Sequence, residues 1–270
     1  SMAIAVFLSG LAQLIVLVIY SRNFFIPKIN FIIKFGDQLK VFFKKLLPSI
    51  FSSGVMQINI LVGTIIASFQ SSAVSYLYYA DRIYQLPLAI SGIAIGTVVL
   101  PVLSRSIASD TNERVLFLQN RSIELSIFLS APAAVGIIVG AEEIISCLFG
   151  YGSFDQESIY NTSRALIIFG FGLPAFSLLK LYSNFYFARG DTSFPFKVSV
   201  FTVAMNILIS LVFFENFGFL SIAAGTSISC WLAVFVYKFS LKKNSLHLSD
   251  SVFVERFAKI FVCSMVMGSL

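Results

Sequence analysis

The sequence predicts an all-α fold: a polytopic transmembrane helical bundle of about eight membrane helices. Three observations lead there. First, 57% of the 270 residues are hydrophobic and only 12% are charged, with a mean hydropathy of +0.89. Soluble domains carry about 25% charged residues, and one core cannot hide this much apolar surface from water, so lipid must be the solvent. Second, most of the apolar runs exceed the ~20 residues that cross the hydrocarbon, and none alternates in polarity over the ~10 residues of a barrel strand. Third, the basic residues gather in every second connection, as they do in a chain threaded through a membrane.

The runs follow in order. The first, 2–20 (MAIAVFLSGLAQLIVLVIY), has no positive stretch before it and no small-residue cleavage site after it. It therefore reads as a spanning helix and not as a signal peptide. Further runs lie at 46–69, 73–103, 122–149, 158–187, 194–214 and 217–239, and an incomplete one starts at 257 and stops within VCSMVMGSL. Both ends fall inside apolar runs, which points to a piece of a longer protein.

Orientation comes from the connections. The loop at 21–45 carries Arg22, Lys28, Lys34, Lys40, Lys44 and Lys45, and the loop at 104–121 carries Arg105, Arg114 and Arg121. Arg189 and Lys197 flank the next basic turn, and Lys238, Lys242, Lys243, Arg256 and Lys259 fall in 238–259. The alternate connections, FQSS, the stretch from Glu142 to Glu157, and ENFG, hold no lysine or arginine. The positive-inside rule makes the basic loops cytoplasmic. The net charge of +6 is thus a topology signal and not a nucleic-acid footprint.

Several chemistries find no support. Cys147, Cys230 and Cys263 are isolated, and the single histidine, His247, lies in a polar loop, so no metal site or histidine-based catalysis is expected. No phosphate-binding GxxxxGKS loop is present. The sequence predicts no catalytic residue and no cofactor, and the acids Glu142, Glu143, Asp155 and Glu157 read as a solvated external face.

Three basic residues fall within apolar runs: Arg82, Arg164 and Lys180. A charge at the bilayer centre costs about 3 kcal/mol on insertion scales. Arg164 is near the outer end of its helix and can snorkel. Arg82, in SYLYYADRIYQLPLAISGIAIG, lies about ten residues in. Asp81 cannot simply neutralise it, because i,i+1 neighbours point about 100° apart. Tyr78 and Tyr79 share the face of Arg82, and Gln85 shares that of Asp81. Two readings stand: a polar stripe lining a wet cavity, or a pair locked to neighbouring helices for assembly. Pro87 then predicts a kink near 83–87, and Gly92 with Gly96 forms a GxxxG for close helix approach. Lys180, about eight residues from the cytoplasmic end of its helix, either snorkels or adds a second cation to the same cavity, and Pro174 can bend that helix. Asn206 and Ser210, at i,i+4, offer oxygen ligands together with Thr226 of the next helix, or else bond between helices.

These motifs carry a resemblance. The runs YYADRIYQLPLAISGIAIGTVVLPVLSR, LFGYGSFD, FYFARGDTSFPFKVSVFTVAMN and GFLSIAAGTSIS resemble, in order and spacing, the MurJ (MviN) lipid II flippases of the multidrug/oligosaccharidyl-lipid/polysaccharide exporter superfamily. The resemblance implies one lobe of a two-lobe exporter fold. It assigns 1–40 to the last helix of an absent first lobe plus a cytoplasmic linker, 41–240 to a six-helix lobe, and 241–270 to a cytoplasmic loop with a truncated further helix. It implies a multi-pass protein of the bacterial cytoplasmic membrane that moves lipid II, or a related polyprenyl-diphosphate glycan, by alternating access. Its partners would be that substrate, membrane lipids and a missing N-terminal lobe, without nucleic acid.

The resemblance also carries residue roles. It implies that Arg82 meets the substrate diphosphate, with Asp81, Gln85, Lys180 and Tyr79 around it. Some members have glutamate where Gln85 stands. Asn206 and Thr226 match sodium ligands of some members, but Ser210 and Gly63 stand where carboxylates are expected, which argues against sodium here. Two alternatives remain at this point: an exporter of another polyprenyl-linked oligosaccharide, and a non-transporting scaffold or remnant of a split flippase.

Overall fold

In a computed structural model, the described residues are 2–22, 39, 46, 57–109, 112–243 and 251–269. The chain divides into two compact units, residues 1–43 and 44–270. In the first, α1 (Met2–Ser21) is apolar along its length. Most of the basic loop at 21–45 lies outside the described residues, as do His247 and the start of the 46–69 run.

The second unit is an all-helical membrane bundle. It contains α2 (Gln57–Ala67), α3 (Ala73–Leu88), a π-helical segment (Ala89–Ala94), α4 (Ile95–Ala108) and α5 (Asn112–Val139). After these come α6 (Ala141–Phe149), α7 (Gln156–Ala188), α8 (Ser193–Phe217), α9 (Leu220–Lys243) and α10 (Ser251–Ser269). Among the described residues, five helices are long and apolar enough to cross a membrane, with Ala73–Ala108 continuous as one of them. The multi-pass architecture is therefore as predicted.

Two boundaries differ from the sequence reading. The basic loop at 104–121 is mostly helical, since α4 runs to Ala108 and α5 starts at Asn112. Arg114 and Arg121 are charged turns of a helix that projects beyond the hydrocarbon. The run 122–149 is two helices, parted at Gly140. Glu142 and Glu143 then occupy the first turn of α6, where carboxylates suit the positive end of the helix dipole. Asp155 caps α7 by accepting from the Ser158 N–H at 2.9 Å, and hydrogen bonding from Ser158 holds its carboxyl below the usual carboxylate range.

The long helix α7 is the centre of the bundle. Two-thirds of its most apolar window is buried, against α3, α4, α5 and α9. Its packing uses small residues where backbones approach. An added Cβ at Gly92 would sit 3.0 Å from Ser177 Cα, and one at Gly96 would collide with the Asn184 side chain. The predicted GxxxG is thus the contact of the α3–α4 span with α7. Pro174 removes one donor from α7, and α9 donates to carbonyls in the same stretch: Ser227 Oγ to Ile168 at 2.9 Å and Trp231 Nε1 to Phe171 at 3.0 Å. Such bonds from a neighbour make proline tolerable in a membrane helix. Between α8 and α9, Gly218 turns with φ +56, and the next residue, Phe219, donates its N–H to Gln70 Oε1 at 3.0 Å.

The consequence of Pro87 lies farther along than the predicted kink. The π-helical segment starts two residues after it. Within it, Ser91 Oγ bonds the Pro87 carbonyl at 2.8 Å and the Ser177 hydroxyl at 2.7 Å. A π segment inserts extra backbone into the helix. It separates the half of the span that carries Arg82 from the half that follows, and both halves pack on α7.

Candidate functional site

The polar face of α3 is built at helical spacing. Asp81 and Arg82 form no ion pair with each other among the described residues. Gln85 connects them. Its carbonyl accepts from Arg82 Nη1 at 3.4 Å, and its amide donates to the Asp81 carboxylate. Only an amide can do both, since a carboxylate accepts and cannot donate. Below the guanidinium lies the ring of Tyr78, with Arg82 Cζ 4.7 Å from its centroid. Arg82 is otherwise exposed, and Asp81 and Gln85 are half-buried. With one of its five N–H groups on Gln85, the guanidinium keeps a fork of donors for an anion.

The structure does not bring the whole predicted set together. Tyr79 joins an aromatic cluster, 4.7 Å from Phe149 and 5.4 Å from Phe154 between ring centroids, and its ring meets that of Tyr78 edge-on at 5.9 Å. It ties α3 to the end of α6 and the loop after it. Lys180 is exposed on α7. The pairs Tyr84–Phe176, Ser91–Ser177 and Gly92–Ser177 set α3–α4 and α7 side by side and parallel. Lys180 is therefore level with residues just past Gly92, and at 1.5 Å per residue it lies roughly 15 Å along the axis from Arg82. A single phosphate cannot touch both from within one layer.

Of the candidate ion ligands, Asn206 and Ser210 bond each other, and Thr226 turns to its own helix. Asn206 Nδ2 donates to Asn59 Oδ1 at 2.8 Å, joining α8 to α2. Ser210 Oγ donates to Asn206 Oδ1 at 3.3 Å. Thr226 Oγ1 bonds the Ile222 carbonyl of its own helix at 2.8 Å, so among the described residues only Asn206 of the three bonds across helices. Asn59 is absent from the sequence reading, although it stands one turn before Gly63 on the same face. Gly225 lets α9 lie directly on this pair: an added Cβ there would be 2.6 Å from both Asn206 Oδ1 and Ser210 Oγ. No group of three or more His, Cys, Asp or Glu suited to a metal occurs among the described residues.

The sequence model of the lipid II flippase MurJ covers residues 1–270. This chain belongs to the MurJ family. It is 36% identical over 230 residues to the probable lipid II flippase MurJ of Rickettsia prowazekii, covering 83% of this chain and 45% of that one. To the corresponding protein of Rhizobium tropici it is 35% identical over 266 residues, covering 98% and 50%. A solved lipid II flippase MurJ in an inward closed conformation superposes with a TM-score of 0.73 at 28% identity, over 89% of this chain and 49% of that one. A transporter of the MOP superfamily from Pyrococcus furiosus shares the fold at a TM-score of 0.68 and 15% identity. The chain spans about half the length of the curated relatives it matches.

Proposed function

We propose that this chain is the second lobe of a flippase that carries lipid II from the inner to the outer face of the bacterial cytoplasmic membrane. The supporting observation is Arg82 on α3, stacked on Tyr78 and oriented by Gln85, in a chain of the MurJ family. A planar guanidinium suits two-pronged binding of a phosphate, and a diphosphate offers two such groups. Asp81 acts through Gln85, and both are positioning residues. Lys180, three turns farther toward the cytoplasmic end, meets a phosphate only at a different stage of passage, and Tyr79 supports Tyr78 and ties α3 to Phe149 and Phe154.

On this reading residues 41–240 form the lobe, 1–40 the last helix of a first lobe with its linker, and 241–270 a loop and the start of a further helix. The two lobes rock about a central cavity that opens first inward and then outward. No covalent step is needed, so the chain acts as a transporter and not as an enzyme. The π-helical segment, seated on α7 at Ser177, divides the α3 half that carries Arg82 from the α4 half.

The test is transbilayer movement of a fluorescent lipid II in vesicles that contain this chain together with a first lobe. Movement above that of protein-free vesicles is expected, with Arg82→Ala close to the protein-free rate. Equal movement with and without Arg82 would refute the proposal.

A further inference from the structure

Away from the polar face of α3, the helices α7, α8 and α9 enclose a groove of about 480 Å³. α7 and α8 scarcely touch, and each packs on α9 instead. A seam is left between them, lined by Ile167 of α7, Ile209 and Phe213 of α8, and Ala224 and Ile228 of α9. The lining is apolar except for Ser221, whose hydroxyl bonds the Gly218 carbonyl, and one charge, Arg164. That side chain is exposed, with Cζ 5.4 Å from the centroid of the Tyr160 ring. No carboxylate pairs with it among the described residues.

The depth of Arg164 follows from packing. Ser227 bonds Ile168 and Trp231 bonds Phe171, so α7 and α9 run parallel with residue 164 level with about residue 224. That is one turn, roughly 6 Å, below the outer start of α9 at Leu220. By the positive-inside orientation this is the outer interface, where an arginine stem in the apolar layer carries its head to the phosphate level. The groove continues inward from there to Ile228. Its face of α7 is not the one that carries Phe169 and Phe176 to Tyr84 of α3.

We infer that this groove holds an acyl chain of an anionic glycerophospholipid of the outer leaflet, with its phosphate on Arg164. Two independent features carry the inference. A seam between helices forfeits dispersion contacts on both walls unless hydrocarbon fills it, and a lipid chain of matching direction does so. An unpaired guanidinium at the interface then selects the head group, because it forms charge-assisted bonds to phosphate. A zwitterionic head group brings its own ammonium and gains less from a cation. The site is separate from the polar face of α3 and independent of the proposed transport.

The experiment uses the full chain in nanodiscs of equal phosphatidylglycerol and phosphatidylcholine, followed by native mass spectrometry of the lipid retained in mild detergent. A phosphatidylglycerol with a photoreactive group on its acyl chain maps the contact. Phosphatidylglycerol should be retained about fivefold over phosphatidylcholine, as expected for one arginine near a membrane surface. Arg164→Gln should bring the two lipids to parity with an unchanged melting temperature, and Arg164→Lys should keep most of the preference. Ala224→Phe, which fills the groove, should lower retention of both lipids. Cross-links should fall within 164–168, 209–217 or 220–228, and excess inorganic phosphate should not displace the lipid. The inference is overturned by an undiminished preference in Arg164→Gln, by retention unaffected by Ala224→Phe, by displacement with phosphate, or by cross-links that map elsewhere or join a second polypeptide.

Discussion

The Arg82 guanidinium and the Gln85 carbonyl share a hydrogen bond of 3.4 Å, long for an N–H···O bond and therefore orienting more than clamping. The amide end of Gln85 is occupied by Asp81. Helix geometry keeps the acid from pairing directly with the arginine, Gln85 bridges the two, and the cation stays available to an incoming anion. We predict that Gln85→Glu reverses this. A glutamate cannot donate to Asp81, and it adds a carboxylate next to Arg82 that competes with a diphosphate. An exposed ion pair of this kind is worth about 1 kcal/mol, so lipid II affinity should fall roughly fivefold, and less in high salt. Titrations at two ionic strengths decide it; unchanged affinity would show that Gln85 has no part in orienting Arg82.

The Asn59–Asn206 bond joins α2 to α8 at a residue weighed as an ion ligand. Without a carboxylate at Gly63 or Ser210, we expect sodium to raise the melting temperature no more than potassium does. Asn59→Ala and Asn206→Ala should each cost about 1 kcal/mol, and their effects should be less than additive in a double-mutant cycle. A saturable sodium-specific stabilisation lost in Asn206→Ala would contradict this.

Close packing at the π-helical segment makes a prediction from two glycines. At Gly92 an added Cβ meets the Ser177 backbone at 3.0 Å, whereas at Gly63 it meets Ile222 Cγ2 at an ordinary 3.6 Å. Gly92→Leu should therefore destabilise by about 1–3 kcal/mol through overpacking, and Gly63→Ala should be near neutral. Thermal melts of the two variants side by side provide the check, and a neutral Gly92→Leu would mean that the α3–α7 contact is looser than described.

The orientation can be tested by labelling in a background without Cys147 and Cys263, both of which are exposed. A cysteine at Ser72, which is exposed at the start of α3, should react from outside. One at Ser109, beyond the end of α4, should react only after permeabilisation. The opposite pattern would invert the topology.

Long-range features of this fold were legible because lipid imposes a length on every spanning helix. Hydropathy found α7, α8 and α9 within a few residues of their ends. It failed where charge enters a helix that outruns the hydrocarbon: Arg114 and Arg121 read as a loop although α5 starts at Asn112. The break at Gly140 is marked only by Glu142 and Glu143 just after it, inside a run that stays apolar to Phe149, and the π-helical segment has no signal beyond Pro87, whose effect appears at Ala89–Ala94. At the site, i,i+3 and i,i+4 spacing sufficed for Tyr78, Asp81, Arg82 and Gln85. It could not show that Tyr79 is held by Phe149 and Phe154, which the chain brings back from another helix and its loop. Asn59 was hidden for the same reason, since its partner is 147 residues away and one amide in an apolar run carries no pattern.

The central claim is that Arg82 is a ligand for the substrate and not a strut of the fold. Equilibrium binding of lipid II, measured with a melting curve on the same preparations of this chain completed by a first lobe, tests it most directly. Lost charge-assisted bonds are worth about 1.5–3 kcal/mol each, so Arg82→Ala should weaken binding roughly tenfold to a hundredfold while the melting temperature stays near that of the unaltered protein. Arg82→Lys should recover only part of the affinity, because an ammonium lacks the planar fork. If Arg82→Ala instead collapses the melting transition, and Arg82→Leu restores both stability and lipid II binding, the residue is structural and the account is wrong.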